Sequence, residues 1–335
     1  MKTLWFDFTN PPHVNFFLPI LNHFKKKGFK ILCTARDFAE TSELLRMRNI
    51  AFTKSGRYRG KSKVMKIIGL ISREINLLKD IGNYDLSFSS NYEAPLISWL
   101  KNKPSIVFDD NDISPNWLYS KFAKFIFSPS AIDKSLMYKM GVKEKQLITY
   151  EGFKENIYIA DYEPDQAFLN KLPFRNFVTV RPENIFATYV PKGTKSITSD
   201  LIDVLIYNGY NLLYLPRYDI DRTYVKKSDK IFIPETPLNG LDVCYYSSAV
   251  LTGAGTFSRE AALLGTPAVS FFAGDQLLGV DKKMKNENMV YFSRNPIDIL
   301  NYIKKSKKRD FDRSLSKNIQ SELFFKIEEV VSKFY

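Results

Sequence analysis

The chain has 335 residues, 44% hydrophobic and 25% charged, a globular composition with room for two domains that each bury a core. No apolar run reaches the ~18 residues that span a bilayer, and Asp7, Asn10, Pro11 and Pro12 interrupt the first strand pattern before a signal-peptide core forms. Cys33 and Cys244 lie far apart without metal-ligand spacing, so the expectation is a cytosolic protein with two buried thiols, and the net charge of +13 admits an anionic partner: nucleic acid, an anionic membrane surface or a phosphorylated substrate.

Thr3 to Phe8 alternates and is aromatic-rich, as a strand is, and Val14 to Lys27 places Phe17, Ile20, Leu21 and Phe24 at helical spacing. Gly28 closes that helix and Lys30 to Thr34 gives a second strand, completing a βαβ unit. His13 stands at the helix entrance, in a loop at the carboxyl end of a strand, where open α/β sheets place ligands. It is the leading candidate for proton transfer near neutral pH, whereas His23 reads as a helix-surface residue.

Ala39 to Met47 reads as a helix and Ala51 to Lys54 as a short strand, followed by a basic loop, Arg57 to Lys63. The helix from Val64 to Asp80 carries the apolar stripe of a core helix; a basic loop leading into it also suits an anionic membrane surface. Leu86 to Ser89 and Ser105 to Phe108 are buried strands, each followed by a polar run, Ser90-Asn91-Tyr92-Glu93 and Asp109-Asp110-Asn111-Asp112. The second run lacks the glycine and terminal glutamate of a calcium loop, which leaves helix capping or hydrogen bonding to an acceptor hydroxyl, with Asp110 foremost. Phe125 to Ser128 gives a further strand and Ile132 to Met140 a helix. Periodicity then lapses around Glu151 to Pro164, dividing the chain into residues 1–153 and 154–335, with the last helix free to cross back to the first domain.

The second half repeats the alternation, with strands at Phe177 to Val180, Asn211 to Leu215, Lys230 to Ile233, Ala249 to Thr252, Ala268 to Phe272 and Met289 to Phe292. Steady βα alternation on both sides of a central linker signal predicts two doubly wound α/β domains whose carboxyl edges face a cleft. Arg181, after the first of these strands, can reach a phosphate or form a salt bridge. In Ala249 to Phe272, a strand, glycine turn, helix and strand follow one another, with Thr256 as N-cap. Small residues and unpaired N–H groups make Ala254, Gly255 and Thr256 a diphosphate cradle, and Glu260, one turn on, a carboxylate for a ribose diol or for the helix dipole. The turn lacks both the Lys-Ser/Thr of a P-loop and the full GxGxxG of a dinucleotide fold.

The segments DFTNPPHVNFFLPIL, TARDFAET, VTVRPENIFATYV and GAGTFSREAALLGTPAVSFF together resemble a poorly characterised family of predicted GT-B glycosyltransferases, related to the UDP-N-acetylglucosamine 2-epimerase group. The resemblance implies two Rossmann-like domains and a metal-independent transfer from a nucleotide-diphosphate sugar, UDP-linked, with no separate cofactor. It implies donor binding by Arg181, Glu183, Ala254, Gly255, Thr256 and Glu260, and acceptor binding near His13, with Asn10, Asn91, Asp109 and Asn111 on that side. His13 or Asp110 is then the acceptor base, and a lipid-linked acceptor would bring the basic loop to a membrane. Asn10-Pro11-Pro12-His13 stands where lipid-acceptor transferases often have Gly-Gly-His. Arg181-Pro182-Glu183-Asn184 lacks the histidine of the His-Arg-Arg-Glu-Asn run that the epimerases tend to carry. The rival readings are a sugar-nucleotide 2-epimerase and a non-catalytic sugar-nucleotide or polyanion binder. No nucleic-acid module is recognisable.

Overall fold

The computed structural model describes residues 2–37, 41–57, 63–113, 117–187 and 190–334. It divides into two units, one formed by Met1–Tyr158 with Lys317–Tyr335 and the other by Ile159–Ser316.

The first unit holds β1 (Thr3–Phe8), β2 (Lys30–Asp37), β3 (Thr53–Arg57), β4 (Leu86–Ser89), β5 (Ser105–Phe108), β6 (Phe125–Pro129) and β7 (Leu147–Tyr150). They form one parallel sheet in the order β3-β2-β1-β4-β5-β6-β7. All six residues of β1 are buried, polar and apolar alike, because a central parallel strand is covered on both faces and has no solvent side to alternate toward. Phe6 and Phe88 stack at 4.6 Å and Phe108 and Phe127 at 5.3 Å, a row of rings across four strands. Phe16 and Phe17 of the helix Pro11–Lys26 meet Phe108 edge-on at 5.2 and 5.6 Å. That packing fixes the helix whose first turn carries His13.

The second unit holds β8 (Val178–Arg181), β9 (Leu212–Tyr214), β10 (Ile231–Phe232), β11 (Ala249–Thr252), β12 (Ala268–Ser270) and β13 (Val290–Phe292). Their order, β10-β9-β8-β11-β12-β13, is again parallel throughout. Its core gathers Val180, Leu205, Leu212, Leu251, Val269 and Ile299. Two parallel sheets, each flanked by helices, make this a two-domain GT-B-like architecture.

Each sheet has one switch point, where successive connections leave in opposite directions: between β1 and β4, and between β8 and β11. The crevice at the carboxyl ends of those strands is where such sheets bind ligands. Several expectations need correction. The helix carrying His13 begins at Pro11, with Asn10 as N-cap and a proline at N1, because a proline at the helix start gives up only an N–H that has no partner there anyway. The helix expected over Ile132 to Met140 is Lys134–Lys139, capped by Asp133. The stretch Glu151 to Pro164 follows β7 directly and holds the helix Lys154–Ile159. Both cysteines are buried free thiols. Among the described residues no helix is long and apolar enough to cross a membrane.

Candidate functional site

At the first switch point the structure is built on a buried charge. Asp7, near the end of β1, is 0% exposed, and Arg73, 1% exposed, reaches it from the helix Lys63–Asp80. Arg73 Nη2 donates to both Asp7 oxygens, at 2.7 and 2.9 Å, Nε donates to the Ser55 carbonyl at 3.1 Å, and Nη1 lies 3.0 Å from Glu93 Oε1. Burial pushes the Glu93 carboxyl pKa up and Arg73 opposes it. Such a buried cluster is costly to break, since removing one partner strands the other charge. Gly56 makes room for it: its φ is +77°, and a Cβ there would lie 2.7 Å from Arg73 Cβ and Cγ.

Hydrogen bonds lead from this cluster to the surface. Asn91 Nδ2 donates to Asp7 at 3.0 Å and to Thr9 Oγ1 at 3.3 Å, while its Oδ1 accepts from the Glu93 amide at 3.1 Å. The Thr9 amide donates a long bond, 3.4 Å, to His13 Nδ1, which also lies 3.2 Å from Thr9 Oγ1. With Nδ1 accepting, the neutral ring carries its proton on Nε2. Burial first, then the charge of Lys154, pulls the His13 pKa down to about 3, with Asp7 and Asp110 opposing. His13 is therefore neutral at neutral pH and offers an Nε2–H donor.

Asp110 pairs with Lys154 Nζ at 2.8 Å, and both act on His13 through their charge, so the structure brings these three together. Asp109 accepts from the Tyr119 hydroxyl and, at 2.9 Å, from the Asn111 amide. Burial pushes its pKa up to about 7 despite the Tyr119 hydrogen bond. Asn111 Oδ1 accepts from the Ile113 amide at 3.1 Å, bracing its own loop, and Asp112 accepts from the Asp133 amide at 2.7 Å, tying the run to the start of the helix Lys134–Lys139. Asn10 is exposed and makes no side-chain cap bond.

At the second switch point, the helix Gly255–Leu263 follows β11 directly. Its N-cap is Ala254, not Thr256, and no side chain caps it; the Ala254 amide itself donates to Thr252 Oγ1 at 2.9 Å. Gly253 passes so close to the loop after β8 that a Cβ would lie 2.3 Å from Glu183 Cα. Gly255 leaves room for the Arg259 guanidinium: a Cβ there would lie 2.9 Å from Arg259 Nη1. Buried Arg259 donates to Asp281 Oδ1 at 2.6 Å and lies 3.4 Å from Thr256 Oγ1. The Arg181 guanidinium sits 5.7 Å from the centre of the Phe257 ring.

Glu183 and Glu260 are both buried. Glu183 is buried and accepts from Ser196 Oγ at 3.0 Å, the Ile197 amide at 3.0 Å and Thr198 Oγ1 at 2.7 Å. Arg294 lies 3.3 Å from it, and this carboxylate holds the start of the helix Thr198–Tyr207. Glu260 is 7% exposed and lies beside Cys244, whose thiol pKa burial and the Glu260 charge both raise.

Arg73, Lys154, Arg259 and Asp281 were not foreseen as site residues. Only Arg259 carried a local signal, lying inside the glycine-turn helix itself. The basic loop lies largely outside the described residues, at 58–62, as do parts of two segments that carried the resemblance, at 38–40 and 188–189. Among the described residues no group of three or more His, Cys, Asp and Glu gathers as a metal site would.

Comparison with known proteins agrees with this architecture. A UDP-GlcNAc 2-epimerase from Methanocaldococcus jannaschii, solved in complex with UDP-GlcNAc and UDP, superposes with a TM-score of 0.69. The match covers 97% of this chain and 100% of that one at 14% identity, a likeness of fold. The glycotransferase of kitacinnamycin matches at a TM-score of 0.65, over 99% and 98% of the two chains, at 9% identity. In sequence, the uncharacterized protein MJ0665 of Methanocaldococcus jannaschii is 28% identical over 315 residues, 90% of each chain. The profile of a protein family of unknown function, DUF354, matches residues 2–331, and the chain belongs to that family, whose fold here is like that of the UDP-GlcNAc 2-epimerase.

Proposed function

We propose that the protein is an enzyme acting on a UDP-linked sugar, and that its reaction is epimerisation of that sugar. The observation that carries the nucleotide reading is the start of the helix Gly255–Leu263. It lies at a switch point, has no side-chain cap, is preceded by Gly253 and Ala254, and has Arg181 on the neighbouring strand. Unpaired first-turn amides and the positive end of the helix dipole suit a diphosphate. The full-length fold match to an epimerase solved with UDP-GlcNAc supports the sugar-nucleotide class.

Epimerisation next to the anomeric carbon needs a group that takes a proton from carbon and one that returns it. The first unit holds groups suited to both: Asp109, whose pKa near 7 lets it carry or release a proton at working pH, and the Asp110–Lys154 pair. His13 enters this scheme as a neutral donor to a substrate oxygen. Glycosyl transfer from the same donor is the second reading. It is favoured by the run Arg181 to Asn184, which lacks a histidine and whose Glu183 accepts from Thr198 Oγ1 and pairs with Arg294.

The test is to incubate the protein with UDP-GlcNAc alone in deuterated water and follow it by NMR. Deuterium at C2 together with the C2 epimer is the expected result. Thermal stabilisation by UDP with no exchange would support transfer instead. Neither exchange nor stabilisation would sink both.

A further inference from the structure

Two short helices of the first unit turn large apolar side chains to solvent. Trp99 and Leu100, at the end of Glu93–Leu100, are 56% and 50% exposed, and Trp117, at the start of Trp117–Ser120, is 50% exposed. They belong to one surface. The Trp99 ring lies 5.4 Å from that of Phe122, and the ammonium of Lys121, the residue before it, sits 5.4 Å over the Trp117 ring. Beyond Trp117, the side chains of Ile113 and Met140 line an open depression that continues the apolar wall. A lone exposed apolar side chain is ordinary, but two tryptophans and a leucine on one surface mark a contact.

The segments that carry them are basic. Ala94 to Phe108 and Trp117 to Ile132 contain four charged side chains, Lys101, Lys103, Lys121 and Lys124, and no carboxylate. Lys121 and Lys124 are exposed, and Lys101 donates to the carbonyl of Ile81 at 3.2 Å, beside the patch. A second copy of this face would set its exposed Lys121 and Lys124 against their like. An anionic bilayer complements both features, because tryptophan rings settle at the headgroup level while lysines meet lipid phosphates.

We propose that this face docks the protein peripherally on an anionic membrane surface. The assignment does not depend on the reaction proposed above, and it uses residues other than the basic loop. Among the described residues no helix crosses a bilayer, so the contact is with the surface.

The test is sedimentation of the whole chain with phosphatidylglycerol-containing vesicles and with pure phosphatidylcholine vesicles at low salt, alongside tryptophan fluorescence. Binding to the anionic vesicles only, a blue shift, and release by salt are expected. Each lysine is worth about fivefold in partition, so Lys121→Glu with Lys124→Glu lowers binding by about 25-fold or more. Trp99→Ser with Trp117→Ser abolishes the blue shift, and circular dichroism of both variants checks the fold. The proposal is overturned if the chain ignores anionic vesicles, whether or not it binds an oligonucleotide there. Undiminished binding by both variants also overturns it, as does a dimer that dissociates on Trp99→Ser.

Discussion

Two titrating groups of the first unit shift stability in opposite senses. Asp109 holds its proton up to about pH 7 in the folded chain, against an ordinary 3.8. Its contribution to stability is therefore complete below the unfolded value and is lost as the pH rises through 7. Asp109→Asn keeps a neutral group at every pH: its one oxygen accepts from the Asn111 amide, and its Nδ2 takes the place of the other carboxyl oxygen and donates to the Tyr119 hydroxyl. Its melting temperature should match that of the wild type near pH 4 and exceed it at pH 8. An equal difference at both pH values would show that the carboxylate is not penalised in the fold. His13 runs the other way, because a base whose pKa falls from 6.5 to about 3 resists a proton that the unfolded chain accepts. Its stabilising contribution is complete above pH 6.5 and declines as the pH falls toward 3. His13→Gln should flatten the acid limb of a stability profile measured by urea unfolding between pH 7 and 4; an unchanged slope would mean the ring protonates freely.

At the scale of elements, the second switch point is held by contact between two loops. Gly253 lies against the Glu183 backbone, and Glu183 holds the start of the helix Thr198–Tyr207. Gly253→Ala forces a Cβ to 2.3 Å from Glu183 Cα, where no flexible side chain can yield, so it should cost about 1–3 kcal/mol in urea unfolding. A neutral result would mean that the loops slide apart without strain. These elements were legible in the sequence to different degrees. Leu86 to Ser89, Ser105 to Phe108 and Ala249 to Thr252 have the boundaries the sequence announces: Ile106 to Phe108 and Ala249 to Leu251 are unbroken apolar runs, as in strands buried on both faces, and in Leu86 to Ser89 apolar residues alternate with small serines. β7 is a half-buried edge strand, and the helix after it buries Glu155 and Asn156, polar residues that look like linker until their surroundings are known. The switch-point loops could be read from their place after strands. The partners of Asp7 could not, since Arg73 stands 66 residues away and no local periodicity carries that pairing.

At the scale of the molecule, the two units differ in how the chain builds them. The second is one continuous stretch, Ile159–Ser316, whereas the first takes back Lys317–Tyr335 from the far end of the chain. Most of that returning segment is the helix Arg313–Ser332, which buries Ile319, Leu323, Ile327, Val330 and Val331. Ile319 packs so tightly that a Cβ on Gly152 would lie 2.4 Å from its Cδ1, and Lys326 Nζ donates to the Thr149 carbonyl at 2.7 Å. Burying an aliphatic side chain contributes about 1.5–3 kcal/mol, so five contribute about 7–15 kcal/mol, as much as the whole net stability of an ordinary domain. A fragment of residues 1–158 should therefore fail to melt cooperatively, and a peptide of residues 313–335 added in trans should restore the transition. A fragment of residues 159–316 should fold alone, because no part of its unit lies elsewhere in the chain. If the start of the helix Gly255–Leu263 is the diphosphate site, UDP should raise the melting temperature of this fragment without the first unit. A cooperative melt of residues 1–158 without the peptide would show that the returning helix is dispensable. A folded 159–316 fragment indifferent to UDP, beside a full-length chain that responds to it, would move the nucleotide contacts out of the second unit.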